Sequence, residues 1–389
     1  MPRRTVVLAV ALFALAAPSV AQACPTAALS PLALTGFEHG RTGYSNGNLM
    51  PYGSGVSVTS NAARNGAYGL RINATGSAGN ENYLWVGPPR TGVVRFALRL
   101  DARPAGNVSE LYRADTLSQK GALRIGYHAA SESLRLTLSN GGATSAVSGP
   151  PVIAGEWYVI DVRYSVAGPH TAEWSVGGAA QGSAVVSGAA DYLYSTRWGT
   201  MAADRFTASY DDVMATGNAG DYPVGDGRVS VLRPDGATSV GNAMRDNDNT
   251  MVDSTSWARL DEVPQTSTVD FIQQTTASSS SYAEIAFEDT ADACARAVRG
   301  YFSTHSANSK DGNNPKLIFV DGARQSTVRS GNLAANNTLS RDYSDTVMPA
   351  VDWSQDSLNG LVARFGFATD VKPVPILDGI LVEYEVAQP

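Results

Sequence analysis

Between Phe206 and Tyr210 the chain alternates strictly: Phe206, Ala208 and Tyr210 are apolar or aromatic, while Thr207 and Ser209 are polar. Period-two alternation is the pattern of a strand with one buried face. The same pattern recurs in R-F-A-L-R-L (95–100), L-R-I-G-Y-H (123–128), L-R-L-T-L (134–138) and Y-V-I-D-V-R-Y (158–164). It returns in S-Y-A-E-I-A-F-E (281–288), A-R-A-V-R-G-Y-F (295–302), K-L-I-F-V-D-G (316–322), L-V-A-R-F-G-F (361–367) and G-I-L-V-E-Y-E-V (379–386). Gly, Asn, Ser and Pro clusters separate these runs, and helical spacing is almost absent, so the pattern predicts an all-β protein of sandwich type. Hairpins are predicted over Ala122–Leu138, turning at A-A-S-E-S, and over Trp157–Gly178, turning at A-G-P-H.

One break interrupts the pattern. From Gly217 to Gly227 the chain carries four glycines and a proline, which leaves no room for a regular element, and a strand follows in G-R-V-S-V. The predicted organisation is therefore two jelly-roll-like β-sandwiches in tandem, over 34–216 and 227–389, joined by an exposed linker at 217–226. No fixed-period repeat runs through either half.

Ahead of the first sandwich, residues 1–23 read as a secretory signal: Arg3 and Arg4, an apolar run, then Ala21-Gln22-Ala23 as an A-x-A cleavage site. The run is too short for a membrane span and none longer follows, so the expectation is a secreted protein, with periplasm or cell surface as the other destinations. The formal net charge of −7 becomes more negative once the two signal arginines are removed. An acidic chain without a basic run repels phosphate backbones, which sets nucleic acid aside as a partner.

The two cysteines are Cys24 and Cys294, too few for a disulfide scaffold or a zinc cluster. Cys24 would be the first mature residue. A disulfide to Cys294 suits an oxidising compartment, with lipidation of Cys24 and two free thiols as the other readings. The histidines at 39, 128, 170 and 305 show no H-x-x-x-H spacing.

The first half opens with Gly36-Phe37-Glu38-His39-Gly40, carries W-Y-V-I-D-V-R-Y and A-E-W-S-V-G-G, and closes with Tyr210-Asp211-Asp212-Val213. It resembles the concanavalin A-like sandwiches, of laminin G or galactose-binding jelly-roll type, found in secreted lectin-like and carbohydrate-binding modules. The second half, with W-A-R-L-D-E-V-P and L-N-G-L-V-A-R-F-G, is similar to β-rich domains of phage tail-associated and bacterial extracellular proteins. The first resemblance implies that Glu38 on the opening strand and Asp211 and Asp212 on the closing strand hold a structural calcium, which takes six to eight oxygen ligands. The bare alternative is strand-end acids that cap turns.

Tyr192, Tyr194 and Trp198 share parity in D-Y-L-Y-S-T-R-W and form a candidate stacking platform for sugar rings, unless they fill the core instead. Two catalytic patterns fail on context. Glu284 and Glu288 flank Ala286, and carboxylates four strand residues apart sit ~13 Å from each other, beyond the ~5–9.5 Å that glycoside hydrolysis uses. The G-x-S-x-G match at Gly43–Gly47 lacks the strand before and helix after that a nucleophile elbow needs. The reading is thus a secreted, non-catalytic binding or structural protein with extracellular carbohydrate as its partner. The alternatives are a glycoside hydrolase or polysaccharide lyase on the same scaffold, and a phage-derived surface or virion component.

Overall fold

The computed structural model describes residues 28–387 apart from 30, 43–48, 78, 86–88, 262–269, 293, 307–315, 323, 331–341, 349–350, 352 and 369–374. The signal segment, Cys24 and the G-x-S-x-G match lie outside the described residues. The chain is all-β. Residues 31–216 build one sandwich, whose eight-stranded sheet runs Ala179–Val186, His170–Val176, Trp157–Ser165, Thr91–Leu100, Arg205–Thr216, Gly69–Thr75, Val56–Thr59, with the opening strand Pro31–Thr35 also paired to Arg205–Thr216. The facing seven-stranded sheet runs Ala143–Pro151, Ser133–Asn140, Gly121–His128, Val108–Thr116, Leu193–Thr200, Asn80–Trp85, Leu49–Tyr52. Both predicted hairpins form, with strand partners such as Tyr127 and Leu134, and Tyr164 and Ala172.

Alternation decides the core. Phe96, Leu98 and Leu100 meet Leu123, Ile125, Leu134 and Leu136 between the sheets, together with Tyr210 and Ala208. In the closing strand the register slips between Asp211 and Met214, and Asp212 takes a φ of 51°, so the inward set shifts from Phe206, Ala208, Tyr210 to Val213 and Ala215. A bulge of this kind lets one strand serve two partners on its outer side.

Residues 227–387 build a second sandwich from two six-stranded sheets. One has Pro375–Ala387 and Ala297–Ser306 at its centre and the other Tyr282–Phe287, Val362–Gly366 and Lys316–Asp321. Among the described residues no helix is long and apolar enough to cross a membrane.

The two sandwiches are in close contact. Thr91–Leu100 is buried on both faces: Val94 and Phe96 point into the first core, whereas Val93 joins Leu34, Met214, Val224, Val229 and Ala297 in an apolar layer between the domains. Arg95 lies on that outer face with no solvent exposure. Its Nη1 donates to Glu385 Oε1 at 2.6 Å, and Glu385 Oε2 accepts from Arg296 Nε at 2.7 Å. Two expectations change here. The segment 217–226 is not a loose tether: Val224 is buried, its carbonyl accepts from Arg296 Nη1 at 2.8 Å, and the N–H of Gly225 donates to Asp161 at 3.3 Å. Glu38 does not sit on the opening strand but in the turn after it, where Phe37 adopts a φ of 60°.

Candidate ligand-binding face

The acids Glu38, Asp211 and Asp212 lie around one segment, Arg64–Tyr68. Asp211 Oδ2 accepts the backbone N–H groups of Arg64 and Asn65 at 2.7 and 3.1 Å. Asp212 Oδ2 accepts from Arg64 Nη1 and Asn65 Nδ2, while its Oδ1 accepts the N–H of Val229 from the second sandwich at 2.7 Å. Glu38 accepts the N–H groups of Ala67 and Tyr68 at 2.9 and 3.1 Å, and its own N–H donates to Glu383 Oε1 at 2.8 Å. Hydrogen bonds and two arginines, Arg64 on Asp212 and Arg233 3.8 Å from Glu38, thus account for these carboxylates, as capping groups would. Burial raises the Asp211 carboxyl well above its usual range, with the neighbouring Asp212 charge adding to it. Among the described residues no group of three or more His, Cys, Asp or Glu is placed to hold a metal ion. Cys294 is half-buried and has no disulfide partner among the described residues, which leave out Cys24.

The aromatic platform does not assemble. Trp198 has no solvent exposure and packs against Tyr112 and Phe96, with ring centroids 5.9 and 6.3 Å away. The reason is a second bulge. The register of Leu193–Thr200 against Val108–Thr116 slips between Leu193 and Ser195, so Tyr194 turns outward while Leu193 and Trp198 face the core. Tyr194 is 39% exposed, and Tyr192 is 36% exposed with the Arg90 guanidinium 4.3 Å over its ring.

The chemistry that does assemble is on the outer face of the seven-stranded sheet. Arg197 lies opposite Arg113, and Arg113 opposite Arg124, so three guanidinium groups stand side by side on adjacent strands. Like charges directly opposite destabilise a sheet, and carboxylates from the flanking positions separate these. Glu81 Oε1 accepts from Arg197 Nη1 at 2.9 Å, Asp115 Oδ2 lies 3.4 Å from Arg197 Nη2, and Asp115 Oδ1 accepts from Arg113 Nε at 2.7 Å. Glu110 Oε1 then accepts from Arg113 Nη1 at 2.8 Å and Arg124 Nε at 3.1 Å, while Oε2 accepts the N–H of Met201 at 3.1 Å. A register slip between Val108 and Tyr112 accompanies the outward placement of Glu110.

The ladder is partly desolvated. The three carboxylates are buried and the guanidinium groups half-buried. Burial raises Glu81, against the opposing pull of Arg197. Burial also pushes Glu110 upward, but Arg113, the Met201 N–H and Arg124 together outweigh it and hold the carboxyl below its usual range.

Beyond Arg124 the ladder opens into a depression of about 560 Å³. Its walls carry Glu110, Arg124, His128, Arg135, Thr137 and Thr144, and buried Gly126 lies between Arg124 and His128 under the backbone of Val108 and Ser109. A Cβ at Gly126 would collide with the carbonyl oxygen of Val108, so the position requires glycine. Of these residues the sequence reading names His128 alone, and only to set a metal motif aside. The signal was present as the polar parity of each strand, Arg113 and Asp115, Arg124 and His128, Arg135 and Thr137, but only strand order makes them neighbours.

No protein-family model matches the chain, and no curated protein does. Solved structures of low similarity include a carbohydrate esterase from the Shiga toxin-encoding bacteriophage phi24B, at 13% identity and a TM-score of 0.38, covering 48% of this chain and 98% of that one. Domain 4 of a GH43 extracellular arabinanase from Geobacillus stearothermophilus, in complex with arabinotriose, aligns at 12% identity and a TM-score of 0.35, covering 48% of this chain and 92% of that one. The carbohydrate-binding module CBM66 from Bacillus subtilis aligns at 9% identity and 0.29, covering 43% and 95%. At these scores none of their activities passes to this chain.

Proposed function

We propose that this is an exported, non-catalytic glycan-binding protein whose first sandwich takes its ligand on the outer face of the seven-stranded sheet. The observation that carries the reading is the fixed ladder of arginines and carboxylates running into an open depression of about 560 Å³. Sugar hydroxyls both donate and accept, and recognition sites meet them with a few placed polar groups on rigid elements. Here Arg124, Thr137 and Thr144 supply such groups from three neighbouring strands, and ion pairing restrains the long side chain of Arg124 before any ligand arrives. The carboxylates of the ladder are tied to arginines, which suits orientation of a ligand better than proton transfer to it. Export rests on the A-x-A site after an apolar run.

The test is a glycan panel probed with the full chain and with Thr137→Phe, which fills the depression without removing a member of any ion pair. The expected result is binding by the parent chain, loss of binding by the variant at an unchanged melting temperature, and no release of reducing sugar. Retained binding in Thr137→Phe would move the site elsewhere, and released sugar would favour the hydrolase or lyase alternative.

A further inference from the structure

One arginine on this face stands outside the ladder. Glu81, Glu110 and Asp115 are engaged by Arg113, Arg124 and Arg197, and Asp204 beside the depression accepts from Ser109 and the N–H of Glu110. Arg135 has no ion-pair or side-chain hydrogen-bond partner among the described residues, yet it stands on the wall of the depression. Its cross-strand neighbours are Gly126 on one side and Ser148 on the other, so neither offers a charge to its guanidinium. The hydroxyl-bearing Thr137 follows two positions along the same face, and Thr144 lies on the next strand.

On the glycan-binding reading above, we infer that the ligand is acidic: an anionic group on the sugar, carboxylate or sulfate, docks on Arg135 while the ring lies in the depression beside it and its hydroxyls reach Thr137 and Thr144. A guanidinium fork matches two oxygens of such a group in parallel, and its charge-assisted bonds are about twice as strong as neutral ones. The rest of the molecule sharpens the inference. The chain carries a formal net charge of −7, so its overall field opposes polyanions, and retention of one requires a local site rather than general attraction.

Affinity electrophoresis of the full chain at fixed ionic strength, in gels holding polygalacturonate, methyl-esterified polygalacturonate, dextran sulfate or dextran, tests this. The chain should be retarded by an acidic polymer at least tenfold more strongly than by its uncharged counterpart, and the stronger of the two acidic gels identifies carboxylate or sulfate as the source. Arg135→Gln should lose that preference at an unchanged melting temperature, Arg135→Lys should keep part of it, and Arg205→Gln on the other sheet should keep all of it. Equal retardation of Arg135→Gln and parent, or a parent that prefers the uncharged polymers, overturns the acidic-ligand inference and leaves glycan binding standing. Absence of binding to every glycan tried fails both together.

Discussion

Replacing Glu385 by Ala should cost about 3–5 kcal/mol of stability and act on both sandwiches at once. The side chain has no solvent exposure, and neither does that of its partner Arg95, 2.6 Å away on the first sandwich. Arg296, almost as buried, grips the same carboxylate through Nε at 2.7 Å and also through Nη2. Removing the acid leaves two guanidinium groups inside protein with one backbone carbonyl each, Asp212 for Arg95 and Val224 for Arg296. Breaking a buried pair from one side costs about 3–5 kcal/mol, because the orphaned charge keeps its desolvation penalty. Asp161 cannot take over the acid's role without rearrangement: burial pushes its carboxyl up to about 6 even with Arg95 nearby, and that arginine already figures among its stabilising charges. Urea unfolding followed by tryptophan fluorescence reads the effect, since Trp174 and Trp198 are buried in the first core and Trp353 in the second. The variant's midpoint should fall for both. Replacing Arg95 and Arg296 by Met together with Glu385→Leu should recover much of the loss, as buried ion pairs exchanged whole for apolar groups often do. A loss below about 1 kcal/mol for Glu385→Ala would refute this account, since that is the scale of an exposed pair.

Other expectations are simpler. Burial pushes Glu383 up to about 8, with the nearby Glu38 charge adding to it; the folded state therefore holds a proton that the unfolded chain releases near 4.5. This contribution is fully present below pH 4.5 and is lost as pH rises toward 8, with a slope of at most ~1.4 kcal/mol per pH unit. Glu383→Gln should flatten the stability profile across that window, and an unchanged profile would show that the acid is ionised when folded. Trp198→Ala should cost roughly 3–5 kcal/mol, whereas Tyr194→Ala should stay within about 0.5 kcal/mol; thermal melts of the two separate core from surface. For Glu38, Asp211 and Asp212, melting in calcium and in EDTA distinguishes capping from metal binding. With Arg64, Asn65, Ala67 and Tyr68 donating to these carboxylates, the melting temperature should not move, and a fall in EDTA would place a cation among them.

The sequence by itself determined the element type, because alternation such as Phe206, Ala208, Tyr210 can bury only one face of a strand. It also placed both hairpins of the first sandwich, where turn residues separate two alternating runs. Tertiary structure decided what faces what. A single extra residue reverses a strand's sides, so the bulge at Tyr194 sent Trp198 into the core although the two share parity in the sequence. Arg95 read as the polar member of an alternating run, yet its face is covered by a second domain whose Glu385 lies 290 positions away. The ladder from Glu81 to Arg124 depends on strand order: Leu193–Thr200 enters between Asn80–Trp85 and Val108–Thr116, bringing Arg197 beside Arg113. Local pattern records which residues want water. Which of them meet across a sheet is set by pairings between distant strands, and those are settled only when the whole sandwich closes.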